Sequence, residues 1–88
     1  MFNSIEIKEV KQEIGLLVKR VRKKNKLTQI KLAERTELHV LTIKKLEAGK
    51  NFTIDTLLII LKELDLLEDL FSNIAQKRKN IEETQPLY

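Results

Sequence analysis

Apolar residues recur along the first quarter of the chain at the spacing of an amphipathic helix. They lie three or four positions apart, which places them on one helical face. The set comprises Val10, Ile14, Leu17, Val18 and Val21. This pattern predicts a first helix that begins at Ile5 or Ile7 and ends at Lys24, with lysines and arginines on its other face.

Two short helices are predicted next. Thr28 carries a hydroxyl oxygen that can accept a hydrogen bond from an unpaired amide at a helix start, so a second helix is predicted from there to Thr36. A third helix is predicted from His39 to Ala48. Gly49 follows it, and glycine adopts without a steric penalty the left-handed backbone that commonly ends a helix.

Two further helices and a tail are predicted in the second half. Thr53 can cap a fourth helix over residues 54–64, whose apolar stripe predicts burial. The stripe comprises Ile54, Leu57, Leu58, Leu61 and Leu64, with Ile60 beside it. A fifth helix is predicted over residues 67–79. Residues 80–88 contain few apolar side chains and are predicted to form a flexible tail. The single domain is therefore expected to span residues 1–79.

Residues 29–48 have the pattern of two short helices packed across a tight corner, which is a helix-turn-helix. The apolar or small positions are Ile30, Leu32, Ala33, Leu38, Ile43 and Leu46. Away from that packing, the second of the two helices presents Val40, Leu41, Lys44 and Lys45. Since a helix fits the major groove of B-DNA, duplex DNA is the first partner to consider.

The charged residues divide the chain into a basic part and an acidic part. Residues 19–50 contain eleven lysines and arginines and three glutamates, a net charge of +8, whereas the whole chain carries +4. The other residues therefore carry a net charge of −4. This division predicts one surface for a polyanion and another for a different partner.

Enzymes and membrane proteins are disfavoured by composition. The chain has no cysteine, and its single histidine, His39, has no paired carboxylates nearby, so we expect no catalytic site, no metal and no cofactor. The longest apolar run, residues 57–61, is too short to cross a bilayer, and the first residues lack the pattern of a signal peptide. We therefore expect a soluble cytoplasmic protein.

A set of residues at characteristic spacing resembles the phage repressor/Cro (XRE-type) helix-turn-helix family. The resemblance covers about residues 14–71. It depends on Ile14-Gly15, Arg22, Leu27-Thr28-Gln29, Leu32-Ala33, Thr42-Ile43, Glu47 and Gly49. It implies an all-α fold, a compact five-helix repressor-like DNA-binding domain, that acts as a dimer on a roughly palindromic operator.

The resemblance also implies roles for individual residues. Arg22 and Glu47 match an ion pair that joins the first helix to the end of the recognition helix, and a planar guanidinium can hold a carboxylate with two parallel hydrogen bonds. The residues assigned to the DNA backbone are Thr28, Gln29, His39, Lys50 and Asn51. The residues assigned to base reading are Val40, Leu41, Lys44 and Lys45.

The chain departs from the family pattern at two places. Glu37 stands where the family usually has glycine, because the residue between the two helices tends to adopt a positive φ; this predicts a strained corner. His39 replaces the usual serine or threonine cap, and Val40 and Leu41 replace polar side chains. Sequence discrimination is therefore expected to depend on the lysines of the third helix, on contacts with thymine methyl groups and on DNA shape.

Two functions are consistent with these features. The first is a sequence-specific double-stranded DNA-binding regulator, a dimeric autoregulatory repressor, whose short form resembles HipB-like antitoxins and phage or restriction-system controllers. The second is a protein-interaction module on the same fold that binds a partner such as a toxin. The expected homodimer interface comprises Leu66, Leu67, Leu70, Phe71 and Ile74, although the last three residues equally suit the core.

Overall fold

The computed structural model describes residues 4–84 of the 88-residue chain, and these residues form five α-helices without a strand. The helices are α1 (Ile7–Lys24), α2 (Gln29–Thr36), α3 (Val40–Glu47), α4 (Ile54–Glu63) and α5 (Leu67–Thr84). The predicted all-α, five-helix architecture is confirmed. The predicted caps are also present, since the hydroxyl oxygens of Thr28 and Thr53 accept hydrogen bonds from the amides of Lys31 and Thr56.

The core lies where α1 and α2 pack against α3, with α4 against α2 and α5 against α4. The buried apolar residues are Val18, Leu27, Leu32, Ala33, Ile43, Leu46, Leu57, Ile60, Leu61 and Leu64. Ile60, which was predicted to lie only at the edge of the α4 stripe, is fully buried. The predicted burial of Ile54 and Ile30 was wrong, because each side chain lies in the first turn of its helix and is more than 60% exposed.

The turns that follow α1 to α4 share one geometry. In each turn a residue with φ between 59° and 76° comes after the helix, and the next amide donates to a carbonyl oxygen five residues earlier, at 2.8 to 3.0 Å. The positive-φ residues are Lys26, Glu37, Gly49 and Asp65. The left-handed conformation expected at Glu37 is therefore confirmed. Leu27, Leu38 and Leu66 follow three of these residues and pack in or against the core.

Helix α5 runs five residues further than predicted, to Thr84. Side-chain pairs one turn apart accompany this extension: Gln76 donates to Asn80, and Arg78 forms an ion pair with Glu82. Residues 80–84 are thus helical, and the rest of the predicted tail, residues 85–88, lies outside the described residues. The radius of gyration is 15.4 Å, above the roughly 12 Å expected for a compact chain of this length, because α5 extends beyond the helical body.

Candidate nucleic-acid interface

Helix α3 presents two different faces. Ile43 and Leu46 on its inner face are fully buried, whereas Leu41 is 57% exposed and Lys44 and Lys45 are exposed on its outer face. Three of the four predicted base-reading residues therefore lie on an accessible surface. Val40 does not fit that prediction fully, because it is only partly exposed and packs against the core from the first turn of α3.

Arg22 and Glu47 join α1 to the end of α3 as the resemblance implied. Arg22 Nε donates to Glu47 Oε2 at 2.6 Å, and Arg22 Nη2 donates to Glu47 Oε1 at 3.0 Å. Their side chains are only 7% and 4% exposed. The remaining Nη1 of Arg22 donates to the carbonyl oxygen of Leu27 at 2.9 Å. This buried pair therefore connects α1 to both α3 and the turn before α2.

Gln29 belongs to the same cluster. Its Nε2 donates to Glu47 Oε1 at 3.0 Å, and the residue is partly buried. The family resemblance assigns Gln29 to the DNA backbone and does not predict this contact. One amide hydrogen and the carbonyl oxygen of its side chain remain for another partner. The Glu47 carboxylate thus accepts three hydrogen bonds from two other helices, and these bonds fix the orientation of α3 relative to the start of α2.

Gly15 brings the main chain of α1 against the end of α3. A Cβ added at Gly15 would lie 2.6 Å from the main-chain oxygens of both Leu46 and Glu47. Both neighbours are backbone atoms, which cannot move aside as a flexible side chain can. Gly15 therefore allows close packing of the two helices, and Gly15 together with Arg22 holds the last turn of α3 at two points.

The residues assigned to the DNA backbone lie at helix starts and in the loop after α3. Thr28, His39, Lys50 and Asn51 are all exposed. His39 occupies the N-cap position of α3, but its side chain does not cap the helix. Exposed amides at helix starts and a loop lysine are groups that bind phosphate oxygens well.

Lys11 is a further candidate for contact with the DNA backbone, and it was not predicted from the sequence. Its Nζ donates to Oδ1 of Asn51, so α1 contributes a cation to the loop after α3. Lys11 precedes Gly15 by four residues and Arg22 by eleven, which places all three on one helical face. This spacing is the signal that could have identified Lys11, because the face that carries Gly15 and Arg22 is the face that contacts α3.

The five residues predicted to form a dimer interface divide into two groups. Leu66, Leu67 and Leu70 are partly buried and pack against the core. Phe71 and Ile74, on the next turn of α5, are 71% and 62% exposed. The first group therefore contributes to the fold of one copy, while the second group leaves an apolar surface uncovered.

Neither a metal site nor a membrane span is found in the described part of the chain. Within residues 4–84, histidines and acidic side chains do not gather into a group that could hold a metal ion. No helix in the same range is long and apolar enough to span a bilayer.

Comparison with known protein families places this geometry in context. Residues 18–71 match the model of the helix-turn-helix family, and the match includes all of α2, α3 and α4. The matched range covers more than half of the chain and contains both Arg22 and Glu47. None of the curated proteins matches the chain.

Proposed function

The chain belongs to the XRE-type helix-turn-helix family of DNA-binding transcription regulators, and we propose that it is a dimeric repressor that recognises a specific operator in double-stranded DNA. Helix α3 is the recognition helix of this proposal. It enters the major groove, while the starts of α2 and α3 and the loop after α3 contact the phosphates on either side.

The observation that carries the proposal is the way α3 is held. Its inner face is buried, its last residue is fixed by Arg22 and Gln29, and its outer face leaves Leu41, Lys44 and Lys45 accessible. A reading helix must present its side chains at a constant angle, because hydrogen bonds to base edges depend strongly on geometry. Rigid attachment combined with an accessible basic surface meets this requirement.

The accessible surface of α3 suits a mixed mode of base recognition. Lys44 and Lys45 can donate to acceptors of guanine or thymine in the major groove, and Leu41 can contact a thymine methyl group. Few hydrogen-bonding side chains are available on this face within residues 40–47. We therefore propose that DNA shape contributes to discrimination at positions that α3 does not contact.

Two experiments test the proposed function. A preferred site is selected from a random duplex library, and fluorescence anisotropy then compares binding to that site with binding to a scrambled duplex. We expect the selected site to be a rough palindrome that binds more tightly than the scrambled duplex. Four to eight phosphate contacts per dimer predict a slope of log affinity against log salt of about −4 to −7. Equal binding of both duplexes, or binding independent of salt, contradicts the proposal.

We further propose that the protein represses its own gene, as the antitoxin of a toxin-antitoxin operon would. DNA upstream of the protein's own gene should then contain the selected site, and a gel shift with that DNA tests it. The division of the charges into a basic part and an acidic part supports this assignment, since the acidic part can contact a second protein.

A second candidate function is a protein-interaction module that binds a toxin or similar partner with little DNA specificity. The exposed side chains of Phe71 and Ile74 favour it, because apolar surface on a helix also suits a protein partner. The selection experiment separates the two functions, since an interaction module enriches no sequence. The partial burial of Val40 weakens this candidate, because of the two apolar residues at the start of α3 only Leu41 is exposed.

A further inference from the structure

Helix α5 carries an apolar stripe along nearly its whole length, and only one end of the stripe packs against its own domain. Leu67, Ile74 and Ile81 lie seven residues apart, with Leu70 and Phe71 between the first two, so all five share one helical face. Leu67 and Leu70 pack partly against the core. Phe71, Ile74 and Ile81 are 71%, 62% and 45% exposed.

The outer end of the stripe, which carries Ile81, lies on the segment of α5 that extends beyond the helical body. Every residue from Gln76 to Thr84 is exposed, and an 18-residue helix is about 27 Å long. A shallow apolar depression of about 400 Å³ lies beside the first half of the helix. It is lined by Leu58, Leu67, Glu68, Leu70, Phe71 and Ile74.

We propose that α5 pairs with α5 of a second copy in antiparallel orientation, with the two-fold axis beside Ile74. This inference rests on the dimer in the proposed function. It adds the direction and the register of the helix pair, and it adds Ile81 to the interface. Ile74 is the midpoint between Leu67 and Ile81, so antiparallel pairing about it covers the stripe on both copies. Ile81 of the second copy then fills the depression beside Leu67.

The charges along α5 select this direction. Arg78 lies on the stripe between Ile74 and Ile81, so a parallel pair would place it against Arg78 of the second copy. Antiparallel pairing places it against Leu70, where its methylene stem can pack while its guanidinium keeps its ion pair with Glu82.

Disulfide cross-linking tests the pairing directly, because the full chain has no cysteine of its own. Ile74→Cys should oxidise to a covalent dimer about tenfold faster than Ile81→Cys, since the two Ile81 positions would be separated by about 21 Å along the helices. Both exposed positions allow substitution without loss of a core contact.

Sedimentation of the unmodified chain separates failure of the register from failure of the dimer. A sedimenting dimer in which Ile81→Cys cross-links as fast as Ile74→Cys indicates parallel helices and overturns the inference while leaving the proposed dimer intact. A dimer in which neither variant cross-links places the interface elsewhere and also overturns it. A monomer at tens of micromolar contradicts the proposed dimer itself.

Discussion

Gly15 contacts the carbonyl of Glu47 so closely that a Cβ on Gly15 would lie 2.6 Å from the oxygen. Seven residues further along α1, Arg22 binds the side chain of the same glutamate through two hydrogen bonds. One residue at the end of α3 is therefore held through both its main chain and its side chain. The orientation of α3 depends on α1, which lies outside the helix-turn-helix motif itself.

Gly15→Ala should destabilise the protein by about 1 to 3 kcal/mol, because the added methyl group meets backbone atoms that can relieve the overlap only by moving α1 from α3. DNA affinity should fall with stability, since α3 changes its angle. Urea unfolding monitored by circular dichroism measures the first effect and anisotropy the second. Glu13→Ala, at an exposed position of the same helix, is the control and should change stability by less than about 0.5 kcal/mol.

Arg22 and Glu47 should be energetically coupled. Arg22→Lys and Glu47→Gln should each lower the free energy of unfolding by at least about 1.5 kcal/mol. Each substitution leaves part of a buried, charge-assisted hydrogen-bond cluster without a partner. The loss of stability in the double variant should be smaller than the sum of the two single losses by about 1 kcal/mol or more. The exposed pair Arg35 and Glu63, at 3.8 Å, is the matched control with coupling below about 0.5 kcal/mol. Equal coupling energies in the double-mutant cycles of the two pairs contradict the structural role of Arg22.

Glu37→Gly should stabilise the protein by about 0.5 to 1 kcal/mol. Glu37 has φ 59°, a conformation that glycine adopts without the steric cost of a Cβ. Glu34→Gly is the matched control, since the same substitution within α2 should instead destabilise the protein by about 1 kcal/mol. Thermal unfolding distinguishes the two variants by the sign of the change in midpoint. A loss of stability in both variants is the contrary result.

Lys45→Ala and Lys50→Ala should affect DNA binding in different ways. Lys45 lies on the outer face of α3, so its loss should weaken the selected operator by about 1 to 3 kcal/mol and relax the preference at one base step. Lys50 lies in the loop after α3, so its loss should weaken all duplexes about equally and reduce the salt slope by about one. Titrations of each variant with the selected and the scrambled duplex measure both affinities. Parallel losses in both variants remove Lys45 from a reading role.

Replacing Phe71 and Ile74 together with glutamate should produce a monomer that loses cooperative operator binding and keeps weak nonspecific affinity. Both side chains are largely exposed, so the charges disrupt an intermolecular surface without entering the core. Leu70 is unsuitable for this test because it packs against the core. Ile7→Glu, at an equally exposed apolar position on α1, is the control and should leave the oligomeric state unchanged. Sedimentation in which the double variant remains a dimer would falsify this interface.

The helices and most of their limits follow from the amino-acid sequence. Local rules decide these features, since helical spacing, the Thr28 and Thr53 caps and the glycine after α3 act within a few residues of one another. The helix-turn-helix pattern and the Arg22–Glu47 pair were also predictable, because residues at recognisable spacing marked them. The end of α5 was misplaced, since pairs such as Arg78 and Glu82 extend a helix that has little core contact.

The packing of the helices against one another sets which apolar faces are covered and which polar groups meet. An amphipathic stripe predicts that a face can be buried but not how far the neighbouring helix extends over it, which is why Ile54 and Phe71 are exposed while Ile60 is buried. The contacts from Lys11 to Asn51 and from Gln29 to Glu47 join residues on different helices or loops. They exist because the crossing of α1, α2 and α3 brings these groups together, and crossing geometry depends on the packing of all the core side chains at once.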